Sequence, residues 1–483
     1  MEQDEATKPP VDNEQGFDAF PTKSFFVHMI TRDIELEDAI LDLLDNCVDG
    51  ILRSIDPNGE SEKPYEKYWA NIHISETVFR ISDNCGGIPI EIAKEYAFKF
   101  GRPEDIPDLG IHSIGMYGIG MKRALFKMGC NIMIASQHGK KAFKVFIDSD
   151  WLYDDSKWNL PFENIPLSPN EGTVIEVRDL CDNIKTRYSN SAFVNEFRNF
   201  VSQHYSIIIN KGFTVIVNDI PIEPQTLYLK FADLEDEQGN RVAPYLWDAV
   251  IDGIEVKLAV GFYRELPTEE ELEKADEGKE GKRKTEYAGW NIICNDRVVI
   301  YCDKSHKTGW GDYGVPKYHT QFISIAGVVV FRSEEPDKLP LTTTKRGIDL
   351  SSDLYAKVKL IMIEGMKLFI DYTNKWKGRL EQEKAISSKA GTVEMVNIGD
   401  MIKKIPPESW RPTTRIIPDA DGKRYVPKLP LPAEVRRNRQ IRFTRPIEEI
   451  KKVSEYLFED ENRSPSAVGN ACFEKTLEKV IEK

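Results

Sequence analysis

Apolar residues return every three to four positions between about Phe25 and Ile55, and every second position in several shorter runs. The first period predicts a helix and the second predicts strands. Strand alternation follows in "ANIHISETVFRISDN", a helix in "EIAKEYAFKF", and a glycine-rich turn at Gly115 to Gly120 opens another helix. "NIMIASQ", "AFKVFID" and "GTVIEVRDL" read as strands bounded by turn residues. Helices and strands mix without strict βαβ repetition, so the expected class is α+β, a layered sandwich.

A helix in "SAFVNEFRNFVSQHY" and a strand in "KGFTVIVNDIPI" close the first unit. The expected division is a polar leader at 1–20, a first domain at 21–224 and a second α/β domain at 225–388. Strands around "WDAVIDGIEVKLAVGF", "GWNIICNDRVVIYC" and "FISIAGVVVF" and a long helix from Asp353 to Trp376 build the second domain, interrupted by a charged insert at about 265–286. The segment 389–446 is expected to be extended, because from Lys403 to Pro446 twelve Lys and Arg stand against four Asp and Glu, with eight prolines. Two helices, Ile447 to Phe458 and Pro465 to Ile481, end the chain at 447–483.

A formal charge of -14 argues against a chain coated in positive charge for gripping nucleic acid, and leaves 403–446 as the one basic stretch suited to DNA. Trp410, Tyr425 and Phe443 are interleaved with its Arg and Lys, a combination that can stack on bases; a linker paired with the acidic body fits equally. Seven scattered cysteines without a CxxC pair, and seven His without HExxH, suggest neither a disulfide framework nor zinc. No apolar run approaches the roughly 18 to 20 residues of a membrane span, and the acidic start lacks a signal-peptide pattern. The expected location is the cytoplasm, with no membrane partner.

Three stretches carry candidate chemistry. In "AILDLLDNCVDG", helical spacing puts Asp42 and Asn46 on one face, a carboxylate beside an amide whose oxygen suits Mg²⁺. In "FRISDNCGGIP", a strand ends at Asp83 and turns through Gly86 and Gly87, where a flat ligand can approach the backbone closely. In "SIGMYGIGMKRA", Gly115, Gly118 and Gly120 precede a helix start, a phosphate cradle with Lys122 at its lip. Taken singly, each fits a solvated helix face or a tight turn as well.

In this order, followed by the "GT" of Gly172 and Thr173, they closely resemble the ATP site of the GHKL superfamily, which includes gyrase B, MutL, MORC proteins, histidine kinases and the ninety-kilodalton heat-shock chaperones. "ELEDAILDLLDNCVDG" with "SIGMYGIGMKRA" is nearest to the MORC and MutL branches, and the resemblance covers about Phe25 to Leu180. It implies a Bergerat-type sandwich that binds ATP with Mg²⁺. By position, Asn46 would hold the metal, Asp42 would be the general base, and Asp83 would read adenine with Thr173 and Gly87 nearby. The lid Gly115, Tyr117, Gly118, Ile119, Gly120, Met121 and Lys122 would wrap the phosphates. "LPLTTTKRGID" is similar to the MutL segment whose lysine touches the γ-phosphate, which makes Lys345 the sensor of a transducer-like domain.

Two positions depart from the pattern: Asp42 stands where the family has Glu, one methylene longer, and Cys85 where it usually has Gly. The expected function is therefore slow Mg²⁺-dependent ATP hydrolysis that gates a lid and moves domains or subunits. The resemblance further implies an ATP-dependent homodimer. The object of the work stays open among DNA (in genome defence or repair), protein clients of a chaperone, and a partner effector served by a non-hydrolysing ATP sensor.

Overall fold

A computed structural model of the chain describes residues 22–55, 61–99, 119–156, 158–268, 271–272, 287–342, 345, 347–413, 417, 420–432 and 444–481. Two compact units result, 1–431 and 432–483. The fold is mixed α+β, with an α/β sandwich at the start of the larger unit and a further α/β domain after it.

The expected helix between Phe25 and Ile55 is broken in two, α1 (Lys23–Arg32) and α2 (Leu36–Ser54). Thr22 accepts from Phe25 N–H to cap α1, and Asp33 ends it. Behind both helices lies a sheet of eight strands: β1 (Trp69–Ile74), β2 (Phe79–Asp83), β3 (Gly129–His138), β4 (Lys141–Ile147), β5 (Phe162–Asn164), β6 (Gly172–Leu180), β7 (Thr214–Val217) and β8 (Ile220–Pro221). Their order is β5-β4-β3-β6-β2-β1-β7-β8, antiparallel except where β1 pairs with β7. Helix α3 (Gly120–Met128) packs beside α2, and α4 (Ser191–His204) closes this half. Ile40, Leu41, Leu44, Val48, Ile72, Ile81, Ile132 and Val177 fill the common core. "EIAKEYAFKF" forms only a helical turn at Ile90–Ile92 and a π-turn at Ala93–Ala97.

The second sheet takes β10 (Tyr245–Ile251), β11 (Ile254–Phe262), β12 (Gly289–Cys294), β13 (Arg297–Asp303), β14 (Ile325–Arg332), β16 (Arg411–Pro412) and β17 (Asp421–Tyr425) in the order β13-β12-β14-β11-β10-β17-β16. A small separate sheet pairs β9 (Tyr228–Phe231) with β15 (Gly391–Glu394). The hairpins turn through Asp252-Gly253 and Asn295-Asp296, all at positive φ, the geometry that follows the twist of paired strands. Helix α5 (Asp353–Trp376) covers one face, with Phe369 edge-on to Phe262 at 5.0 Å. Leu229, Phe231, Met395 and Met401 cover the other.

The stretch 389–446, expected to be extended, thus supplies β15, a helix at Ile398–Lys403 and β17. The proline-free run Asp421–Tyr425 pairs with β10, where Tyr425 is buried and Trp410 packs against it. Residues 269–270 and 273–286 of the charged insert lie outside the described residues. The smaller unit holds α6 (Ile447–Phe458) and α7 (Pro465–Ile481), at the bounds read from the sequence. No helix among the described residues is long and apolar enough to cross a membrane.

Candidate nucleotide site

Helix α2 enters the core with its acidic residues inside. From Asp38 to Ile51 every residue is buried except Asn46, which is exposed. The Asn46 amide has no hydrogen-bond partner among the described residues, whereas each buried carboxylate on the same helix has partners. That contrast answers why a core helix carries so many polar groups: unpaired buried charges would be prohibitive, and these are paired.

Asp42 is held by Arg123 of α3, whose Nη2 and Nε lie 2.6 Å and 2.8 Å from Oδ2. The Lys345 Nζ is 3.9 Å from Asp42 Oδ1 and donates to Asp45 Oδ2 at 3.1 Å. Burial pushes the Asp42 carboxyl up, against the pull of Lys345 and Arg123. Asp45 goes the other way: burial is outweighed by Lys345, by Arg297 with its Nε at 3.1 Å, and by the Tyr205 hydroxyl that donates to Oδ1. Lys345 itself is held charged, because Asp45, Asp42 and Asp49 together exceed the cost of burial.

Asp83 ends β2 and faces the turn that follows. Its Oδ1 accepts from the Cys85 N–H at 2.8 Å and the Thr173 N–H at 3.4 Å, and the Cys47 thiol reaches Oδ2 at 3.6 Å. Burial raises this carboxyl to about 6, opposed by those donors. The turn fits tightly into the sheet: a Cβ on Gly87, whose φ is 63°, would lie 2.0 Å from the Gln137 carbonyl oxygen. A Cβ on Gly172 would lie 2.0 Å from the Asp83 carbonyl oxygen, so the two glycine turns bring Asp83 and Thr173 together. Thr173 Oγ1 is 2.9 Å from Ser136 Oγ, which accepts from the Ile88 N–H at 2.8 Å. Cys85, where the resemblance leads one to expect glycine, is buried, and its backbone N–H serves Asp83.

At the start of α3, a Cβ on Gly120 would lie 3.3 Å from Asp42 Cγ, so the N-terminal end of this helix abuts the carboxylate. Lys122 points elsewhere: its Nζ donates to the carbonyls of Ala97, at 3.0 Å, and Lys99. Burial lowers it to about 8. The cation against Asp42 is Arg123, which sequence reasoning passed over, as it did Tyr205, Arg297 and Ser136. Ile119 and Met121 flank Gly120, while Gly115, Tyr117 and Gly118 lie outside the described residues. Two clusters therefore form along one helix and sheet end: Asp83, Gly87 and Thr173 in one, and Asp42, Gly120, Arg123 and Lys345 in the other.

Residues 34–183 match the family described as "Histidine kinase-, DNA gyrase B-, and HSP90-like ATPase". This part of the chain belongs to the GHKL superfamily of ATP-binding domains. No curated protein matches the chain.

Proposed function

We propose that the protein is a Mg²⁺-dependent ATP switch whose own hydrolysis is slow. The observation that carries this reading is the exposed amide of Asn46, without a partner among the described residues, in the otherwise buried stretch from Asp38 to Ile51, one turn from Asp42. The donor set fits the nucleotide. Asp83 offers an acceptor to an exocyclic amine, Gly87 lets its turn pack against Gln137 and Gly172 beside it, and Asn46 presents one oxygen to a hard cation. Among the described residues no group of three His, Cys, Asp or Glu could hold a metal alone, which suits an ion shared with phosphate oxygens. Mg²⁺ in this place would neutralise phosphate charge.

The chain's own residues define the rest. Asp42 is the candidate acceptor of a proton from an attacking water, but it is one methylene short of the usual Glu and engaged by Arg123. That engagement favours a second reading, an ATP sensor that binds without turnover. Action on DNA draws less support, because Tyr425 is buried and Trp410 packs on it, so two of three candidate stacking residues belong to the fold. Kinship with MORC and MutL rests on the likeness of "ELEDAILDLLDNCVDG", "SIGMYGIGMKRA" and "LPLTTTKRGID", whose Lys345 lies beside the α2 carboxylates. Pairing of two copies on ATP is tested by molar mass: a value that stays monomeric with a non-hydrolysable analogue removes it.

The deciding experiment is calorimetric binding of ATP and ADP, with Mg²⁺ or with EDTA, by wild type, Asn46→Ala and Asp83→Asn, alongside phosphate release. Wild type should bind ATP only with Mg²⁺ at full affinity, Asn46→Ala should lose that metal dependence, and Asp83→Asn should weaken both nucleotides. Absence of binding by wild type would end the proposal.

A further inference from the structure

Asp45 is fully buried and meets two hydrogen-bond donors and one ion-pair partner from three places in the chain. Tyr205, at the end of α4, donates to Oδ1 and lies 2.9 Å from the Leu41 carbonyl oxygen. Arg297, the first residue of β13, brings Nε to 3.1 Å of the same oxygen. Its guanidinium lies 4.4 Å from the Tyr205 ring centre, and its Nη1 donates to the His204 carbonyl at 3.3 Å. The second donor, Lys345, takes Oδ2.

The two cations differ in how firmly they are held. Arg297 is fixed by a strand, an aromatic face and a carbonyl. Lys345 sits in the loop between the paired residues Leu341 and Ile348, with its backbone at φ 54°, a left-handed conformation that strains a non-glycine residue. Around Asp42 and Asp45 these contacts place three cations, Arg123, Arg297 and Lys345, against two carboxylates. Asp49 adds a third carboxylate to the field at Lys345, and of the three cations the flexible ammonium is the one able to leave.

We propose that Asp45 is the resting acceptor of Lys345, and that Arg297 is the positioning residue that keeps this acceptor neutralised and in place when the lysine leaves for a terminal phosphate. ATP and Asp45 then compete for one ammonium, and the second domain stays tied to α2 through Arg297 while its lysine exchanges partners. This rests on the reading of Lys345 as a phosphate sensor.

The test is the affinity of a non-hydrolysable ATP analogue relative to ADP, with Mg²⁺, in full-length wild type and four variants. Lys345→Met should lower the ratio roughly tenfold, the worth of one charged hydrogen bond. Asp45→Asn should raise it several-fold, since the ammonium loses its resting partner, and should do nothing in a Lys345→Met background. Tyr205→Phe, which removes one donor and adds no volume, leaves Asp45 a stronger acceptor and should lower the ratio. If Lys345→Met leaves the ratio unchanged, the sensor reading itself fails. If Lys345→Met lowers it but Asp45→Asn leaves it unchanged or lower, the competition is overturned while the sensor stands. A purely structural Asp45 would weaken both nucleotides alike. Should Asp45→Asn not fold, an unchanged or higher ratio in Tyr205→Phe overturns the proposal alone.

Discussion

Arg123 grips Asp42 by one oxygen, with Nη2 at 2.6 Å and Nε at 2.8 Å from Oδ2, and both side chains are buried. A carboxylate held this way is fixed in direction and has one oxygen already committed. Removing a partner from a buried pair leaves an uncompensated charge, so Asp42→Asn should destabilise the fold by about 3 to 5 kcal/mol. It should abolish any turnover while keeping nucleotide affinity within a few-fold. Asp42→Glu adds a methylene where Gly120 and Arg123 already crowd the site, at a cost of about 1 to 3 kcal/mol. Its turnover should nevertheless rise above wild type, because the longer stem reaches past Arg123. Urea unfolding and phosphate release measure both effects; a Glu variant slower than wild type would show that aspartate is the working base.

Asp83 gives the pH dependence. Its carboxyl is raised to about 6 by burial, above its ordinary value of 3.8, so the folded protein holds this proton more tightly than the unfolded chain does. The group therefore contributes stability below about pH 4 that is lost as pH rises through about 6. Adenine recognition runs the opposite way, since the ionised carboxylate accepts from an amine more strongly than the protonated acid does. ADP affinity should fall as pH drops from 7 to 5, and the fall should vanish in Asp83→Asn. Calorimetry across that range checks it; an identical slope in the variant would place the titration elsewhere.

Glycines of the two turns should respond differently to one methyl group. Gly87→Ala forces a Cβ to 2.0 Å of the Gln137 carbonyl oxygen at φ 63°, where backbone must move and the left-handed conformation adds about 1 kcal/mol or more of strain. Loss of several kcal/mol, read from the urea midpoint, is expected. At Gly120 the methyl meets Asp42 at 3.3 to 3.4 Å in a helical turn, which a shift of a few tenths of an ångström relieves. Gly120→Ala should fold normally and change turnover more than affinity.

Much of this site was legible because its parts are local. Asp42 and Asn46 share a helix turn, Asp83 closes a strand, and Gly87 and Gly172 mark turns whose backbones touch, so each short motif could be read locally and their order, through the family resemblance, joined them. Arg123 was not legible: it follows Lys122 in the sequence, and only the rotation of α3 against α2 decides which of two adjacent cations meets Asp42. Tyr205 and Arg297 lie 160 or more positions from Asp45, and no periodicity relates them. The break between α1 and α2 has no proline or glycine to announce it. In 389–446 the prolines and charge masked a short strand, paired between β10 and β16, in which Lys423 is exposed and Tyr425 is buried.

Lys122 is distinguished from its neighbour Arg123 by experiment. Its ammonium is buried against the carbonyls of Ala97 and Lys99, and burial lowers it to about 8, below the 10.5 of a free lysine. The unfolded chain binds this proton more tightly, so stability should rise with pH between about 8 and 10 as the folded state is relieved of its charge. Lys122→Met keeps the stem and removes the charge; the rise should flatten, as thermal unfolding at pH 7, 8, 9 and 10 will show. Because the side chain serves the backbone at 97–99, ATP affinity should change far less in this variant than in Asn46→Ala. A loss of ATP affinity as large as that of Asn46→Ala, with ADP affinity spared, would instead return Lys122 to the phosphates, where the glycine-rich turn first suggested it.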